Sequence, residues 1–178
     1  MNKAVFLDRD GVINVDRGYV HKIKDFEFMP NSIKALKMMQ DAGYILIIIT
    51  SQSGIGIGYY TDEDFKRLNQ HMLGSLESGG ISITKVYYCP HSPEERCKCR
   101  KPSINFIKEA EEEFGIDLGG SFVVGDKTSD IEMGKRAGCR TILVKTGKRG
   151  EDNRYKVMPD QVSEDLYSAA KFMLKRRA

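Results

Sequence analysis

Residues 44 to 49 read Tyr-Ile-Leu-Ile-Ile-Ile, six apolar side chains in a row with no alternation. A strand with one face in water alternates apolar and polar residues. A run without alternation must be covered on both faces, as a strand is inside a parallel sheet with helices on either side. Gly43 precedes the run and Thr50-Ser51-Gln52-Ser53-Gly54 follows it, so it is too short to be a helix of its own. Shorter runs at 4–7, 84–88, 122–124 and 141–144 read as further strands. Between them the period changes. Asn31 is a plausible N-cap for a helix with Ile33, Leu36 and Met39 on one side, ended by Gly43. A longer helix from Thr61 places Phe65, Leu68, Met72 and Leu76 together. Helices at 103–114, 131–137 and 163–175 follow, with Ile107, Ala110 and Phe114, then Leu166, Ala170 and Met173, facing inward. Strands alternating with helices predict an α/β fold, a three-layer sandwich around a parallel sheet. The remaining segments read as loops: 14–30, irregular and able to reach over the first strand's end; Gly54, Gly56 and Gly58, flexible; 89–101, bearing cysteines; and 145–160, polar.

The 178 residues fit a single domain spanning 1–178, and such a domain buries about 70% of its unfolded surface without a staple. No apolar stretch has the length of a membrane span. Lys3 leads straight into a strand, so no signal peptide is expected. The net charge of +3 is small. Lys175-Arg176-Arg177 suits the end of the last helix better than it suits nucleic acid. The expectation is a cytoplasmic monomer with a small-molecule substrate, no nucleic-acid partner and no membrane partner.

Polar residues collect at strand ends. The first strand ends in Asp8 and Asp10, the second in Thr50 to Gly54, the fourth in Gly125-Asp126-Lys127. If the strands are parallel, all three clusters share one edge, where open α/β sheets bind ligands. Lys101, opening the helix between strands three and four, can reach the same edge. Phosphoryl transfer needs a nucleophile, a metal, and donors around the equatorial oxygens. Asp8 would attack phosphorus, and Asp10 would protonate the leaving oxygen and then deprotonate water. Thr50 and Lys101 would hold the phosphoryl group. Asp8, the Asp10 carbonyl and Asp126 would hold Mg²⁺. Asp130 reads as the cap of the helix after it.

Cys89, His91, Cys97 and Cys99 offer three thiolates and an imidazole within eleven residues. Cys₃His is a tetrahedral zinc set with no open position, hence structural. The alternatives are a redox switch or a chance cluster. Cys139 stands apart as a packed thiol.

The segment Phe6-Leu7-Asp8-Arg9-Asp10-Gly11-Val12-Ile13-Asn14 resembles the first motif of the haloacid-dehalogenase-like phosphatases, and Thr50, Lys101 and Gly125-Asp126 resemble the other three. The resemblance covers nearly the whole chain. It implies a Rossmann-like sheet of strand order 5-4-1-2-3 with no large cap domain. Cys89-Pro90-His91, followed by Cys97-Lys98-Cys99-Arg100-Lys101-Pro102, resembles the branch acting on heptose 1,7-bisphosphates and histidinol phosphate. The segments Asn14 to His21 and Asp25 to Phe28 are closer to the heptose side. The resemblance implies substrate contacts at Asp16, Arg17, Gly18, Tyr19, Ser51, Gln52, Ser53, Arg100 and Lys127. One departure is Ile57, where that branch often has arginine. A non-catalytic phosphosugar-binding protein is the reading from another class, and intact Asp8 and Asp10 argue against it.

Overall fold

The structure, a computed structural model, describes residues 1–175. Its elements run β1 (Lys3–Leu7), α1 (Ser32–Asp41), β2 (Tyr44–Ser51), α2 (Ser53–Ile57), α3 (Asp62–Ser78), β3 (Ile83–Cys89), α4 (Asn105–Phe114), β4 (Phe122–Gly125), α5 (Thr128–Ala137), β5 (Arg140–Val144), β6 (Gln161–Ser163) and α6 (Leu166–Lys175). All strand pairs are parallel, in the order β3-β2-β1-β4-β5-β6.

The two-residue period of a strand divides the core. Val5, Leu7, Leu46, Ile48 and Val124 point to one face, where Leu36 and Met39 of α1 and Ala170 and Met173 of α6 cover them. Ala4, Phe6, Ile47, Ile49 and Val123 point to the other, against Ile107 and Ala110 of α4 and Met133 of α5. Each fully buried Leu, Ile or Val contributes about 1.5–3 kcal/mol, so the unbroken 44–49 run anchors both layers at once.

The five expected strands stand in the expected order, and a sixth extends the edge. Gln161-Val162-Ser163 is short and polar, with Val162 exposed, so no apolar pattern marks it. It is held from outside. Lys145 N–H donates to the Ser163 carbonyl, and Asp160 binds both the N–H and the hydroxyl of Thr141. The last helix accordingly begins at Leu166, not at 163. Lys175 lies in its final turn, and Arg176 and Arg177 lie outside the described residues.

Three local expectations need correction. Ile33 is exposed, and the buried side of α1 is Ser32, Ala35, Leu36 and Met39. Asn31 stands at the N-cap position in the left-handed region, but its side chain makes no capping bond. The glycine segment after β2 is a packed helical turn, α2. A Cβ at Gly54 would lie 2.1 Å from Tyr60, and one at Gly56 would lie 2.4 Å from the Ser92 nitrogen. Those glycines serve close approach, not flexibility.

Candidate active site

The parallel register brings the ends of β1, β2 and β4 to one edge, and the groups there are buried. Asp8 follows β1, where its N–H donates to the Val124 carbonyl at 3.0 Å. Its Oδ1 accepts from the Arg9 N–H at 2.8 Å and lies 3.0 Å from Lys101 Nζ. Lys127 Nζ lies 3.7 Å from Oδ2. Burial works against a charge on Asp8, but the two lysines outweigh it and hold its pKa below the usual carboxylate range. Asp8 is therefore held as a carboxylate at neutral pH. Burial also works against the charge on Lys101, and Asp130 and Asp8 overcome it, so the lysine stays protonated.

Asp126 is completely buried. Its Oδ2 accepts the Lys148 N–H at 2.6 Å. Gly11 and Gly147 make room for this: both have positive φ, and a Cβ on either would come within 2.5 Å of that oxygen. The other oxygen, Oδ1, and Asp8 Oδ2 have no hydrogen-bond partner. Burial and the neighbouring Asp8 push the Asp126 pKa up to about 8. Asp8, Asp126 and Asp130 each bring a carboxylate oxygen within 4.8 Å of the others. Two orphaned, buried carboxylate oxygens among three acids fit a hard divalent cation such as Mg²⁺. Thr50, on β2, accepts from Gln52 Nε2 at 2.8 Å, which leaves its hydroxyl proton free for a phosphoryl oxygen.

Asp10 sits one step outward, with its side chain 16% exposed. Arg9 grips it with Nε at 3.1 Å and NH2 at 3.0 Å, and Asn14 Nδ2 and Gln52 Nε2 donate at 3.0 and 3.1 Å. Asp16, Gly18, Tyr19, Ser51, Gln52, Ser53, Arg100 and Lys127 line one cleft with Asp10 and Tyr60. Arg17 does not line it. Its guanidinium pairs with Glu27 at the surface.

Several residues of this edge carried no expected role in the reaction. Asp130 does cap α5, accepting the Lys127 N–H at 3.1 Å, but it also lies 2.5 Å from Lys101 Nζ. Arg9 is fully buried yet was unmarked between the two aspartates. Lys148 and Arg154 open onto the cleft from the segment read as a polar loop. That segment is tied down by Lys148 N–H and Gly150 N–H on Asp126, by Thr146 on the Gly11 carbonyl, and by Asp152 on Thr128. Lys148 follows the end of β5, so the same strand-end rule that found Asp126 could have marked it. Arg154 leaves no such signal.

Cys89 Sγ lies 3.6 Å from both Cys97 Sγ and His91 Nδ1, and Cys99 Sγ lies 3.3 Å from that nitrogen. No disulfide joins them. Ligands at the usual Zn–S and Zn–N lengths of about 2.3 and 2.0 Å sit about 3.5–3.8 Å apart on a tetrahedron, so the cluster has the dimensions of a zinc site. Arg100 follows Cys99 directly, and its NH1 donates to the His91 carbonyl at 3.3 Å.

A parallel Rossmann-like sheet with a buried, ionised aspartate at the end of its central strand, a second aspartate two residues on, and a lysine and acid from later strand ends defines a phosphoryl-transfer hydrolase. A HAD-hydrolase-like family model matches residues 98–169. The D-glycero-beta-D-manno-heptose-1,7-bisphosphate 7-phosphatase of Haemophilus ducreyi is 46% identical over 154 residues, 82% of this chain and 85% of that protein. A D-glycero-alpha-D-manno-heptose-1,7-bisphosphate 7-phosphatase of Photorhabdus laumondii is 45% identical over 82% of this chain and 84% of its own. The crystal structure of a D,D-heptose 1,7-bisphosphate phosphatase from B. bronchiseptica, complexed with magnesium and phosphate, has a TM-score of 0.89 at 30% identity, covering 98% of this chain and 99% of that one. This chain belongs to the HAD-like hydrolases, in the group these heptose-bisphosphate phosphatases form.

Proposed function

We propose that the protein is a Mg²⁺-dependent phosphatase that removes the 7-phosphate from D-glycero-D-manno-heptose 1,7-bisphosphate. The observation that carries the reading is the ionised, buried Asp8, whose Oδ2 and the Oδ1 of neighbouring Asp126 have no hydrogen-bond partner, with Asp10 two residues on lining the cleft. The Asp8 carboxylate attacks phosphorus, the bond to the sugar oxygen breaks, and Asp10 gives that oxygen a proton. Water then attacks the aspartyl phosphate while Asp10 takes its proton, which releases phosphate and restores Asp8. Lys101 and the Thr50 hydroxyl neutralise and orient the equatorial oxygens. Asp8, Asp126 and the Asp10 carbonyl would hold Mg²⁺, which offsets the phosphate's charge when bound.

The cleft beyond this centre is cationic. Arg100, Lys127, Lys148 and Arg154 line it, and among the described residues no carboxylate pairs with Arg100, Lys148 or Arg154. Such a wall suits a second anionic group at the far end of the substrate, as a bisphosphate has. The cations outnumber the acids Asp10 and Asp16 in the same lining, which favours an anionic group over the ammonium of histidinol phosphate. Cys89, His91, Cys97 and Cys99 hold a structural zinc in this reading, which fixes the backbone of Arg100.

Phosphate release from both heptose 1,7-bisphosphate anomers, fructose 1,6-bisphosphate and histidinol phosphate tests the proposal. A heptose bisphosphate is expected to have the highest kcat/KM, with activity lost in EDTA and restored by Mg²⁺. Arg100→Ala is expected to cost the bisphosphate much more than an aryl phosphate. Preference for histidinol phosphate, or equal losses on both substrates, overturns it.

A further inference from the structure

Gln52 was expected to contact substrate, yet it is only 2% exposed and its amide is bonded at both ends. Nε2 donates to Asp10 Oδ2 at 3.1 Å and to Thr50 Oγ1 at 2.8 Å. Oε1 accepts from the Tyr60 hydroxyl at 2.6 Å and from Arg9 NH2 at 3.4 Å. An amide has two donors and two acceptor lone pairs; both donors are used, and one lone pair takes the Tyr60 proton while Arg9 NH2, whose two hydrogens also serve Asp10 and the Val20 carbonyl, lies beside the other. Its orientation is forced as well. A guanidinium can only donate, so the amide oxygen faces Arg9 and the nitrogen faces Asp10 and Thr50. Tyr60 must then be a donor. Its burial pushes the phenol up to about 12, so the proton is present across the working range. The ring is fixed in turn by stacking on His21, with centroids 4.8 Å apart and planes 5° apart, and by its close fit against Gly54.

We infer that Gln52 and Tyr60 are positioning residues for the reaction. Tyr60 locks the Gln52 amide, and Gln52 holds the Asp10 carboxyl and the Thr50 hydroxyl in register with the phosphorus above Asp8. Gln52 then acts on the reaction through Asp10 and Thr50, from the wall of the cleft it lines. This rests on Asp10 as the proton carrier of the proposed function. It extends that reading to Tyr60, which lies in the turn after α2, eight residues from the amide it locks.

Three measurements on Tyr60→Phe, Gln52→Ala and the isosteric Gln52→Glu test it. With heptose bisphosphate, kcat is expected to fall about tenfold or more, with KM within about twofold of wild type, because a group that orients the catalytic residues acts on the chemical step and not on binding. On kcat/KM, p-nitrophenyl phosphate is expected to lose less than a simple alkyl phosphate, because nitrophenolate leaves without a proton and an alkoxide does not. Tyr60→Phe is expected to cost nothing further in the Gln52→Ala background, since both act through one amide. Gln52→Glu places a second carboxylate against Asp10 and is expected to be the slowest. Melting temperatures near wild type for Tyr60→Phe separate these effects from folding. A raised KM with unchanged kcat, equal losses on aryl and alkyl phosphates, or additive losses in the double variant overturn the inference. Wild-type turnover of aryl but not heptose phosphates overturns the substrate reading alone, and the aryl–alkyl comparison still decides the role of Gln52.

Discussion

Asp8 shows how one residue's chemistry depends on its neighbours. A carboxylate buried this deeply would ordinarily take up a proton, and a neutral acid does not attack phosphorus. Lys101 at 3.0 Å and Lys127 at 3.7 Å reverse that outcome. Asp130 keeps Lys101 charged and in place, 2.5 Å away. Asp8→Asn keeps the shape and removes the nucleophile. It is expected to lower turnover by several orders of magnitude, because uncatalysed monoester hydrolysis is so slow that enhancements reach ~10²¹. A phosphate-release assay on protein with a native circular-dichroism spectrum checks this. Near-normal turnover would exclude an aspartyl-phosphate route.

At the scale of elements, the site depends on segments tied to strand ends. Asp160 binds the first residues of β5 through the Thr141 N–H at 2.8 Å and hydroxyl at 2.9 Å, and so carries β6 to the edge. Partial burial opposes its charge, but Lys135 and the Thr141 donors outweigh it and lower its pKa. The sign follows from linkage. A lowered folded pKa adds stability above the unfolded value near 3.8, and that stability is lost as pH falls through the folded pKa. Asp160→Asn is therefore expected to lower the melting temperature at pH 7, with the gap to wild type closing below pH 4 in a thermal scan. The cysteine loop is the second such segment. Gly56 N–H donates to the Pro90 carbonyl at 2.8 Å, so the loop also braces α2. Cys97→Ser is expected to release zinc, measured by metal analysis, and to lower stability and activity together. Full metal loss with unchanged kcat/KM would show that the loop does not set Arg100.

At the scale of the whole molecule, the division between sequence and tertiary structure has a physical cause. The apolar run at 44–49 and the alternation of strands with helices determined the three-layer parallel fold, because burial on both faces leaves few other arrangements. Strand-end position then marked Asp8, Asp10, Thr50 and Asp126, and close spacing marked the cluster of Cys89, His91, Cys97 and Cys99. The segment carrying Lys148 and Arg154 was only partly legible: Lys148 follows a strand end, and Arg154 leaves no signal. Their segment has no apolar period, and its place is set by hydrogen bonds to Asp126, Gly11 and Thr128, residues 20 or more positions away. Arg9 and Tyr60, and the side-chain bonds of Gln52, were hidden for a related reason. A residue that holds another in place leaves no pattern along the chain, and only the folded distances assign it. Arg17 makes the converse point. It lies in the expected segment, but a surface glutamate ten residues on decided which way its side chain went.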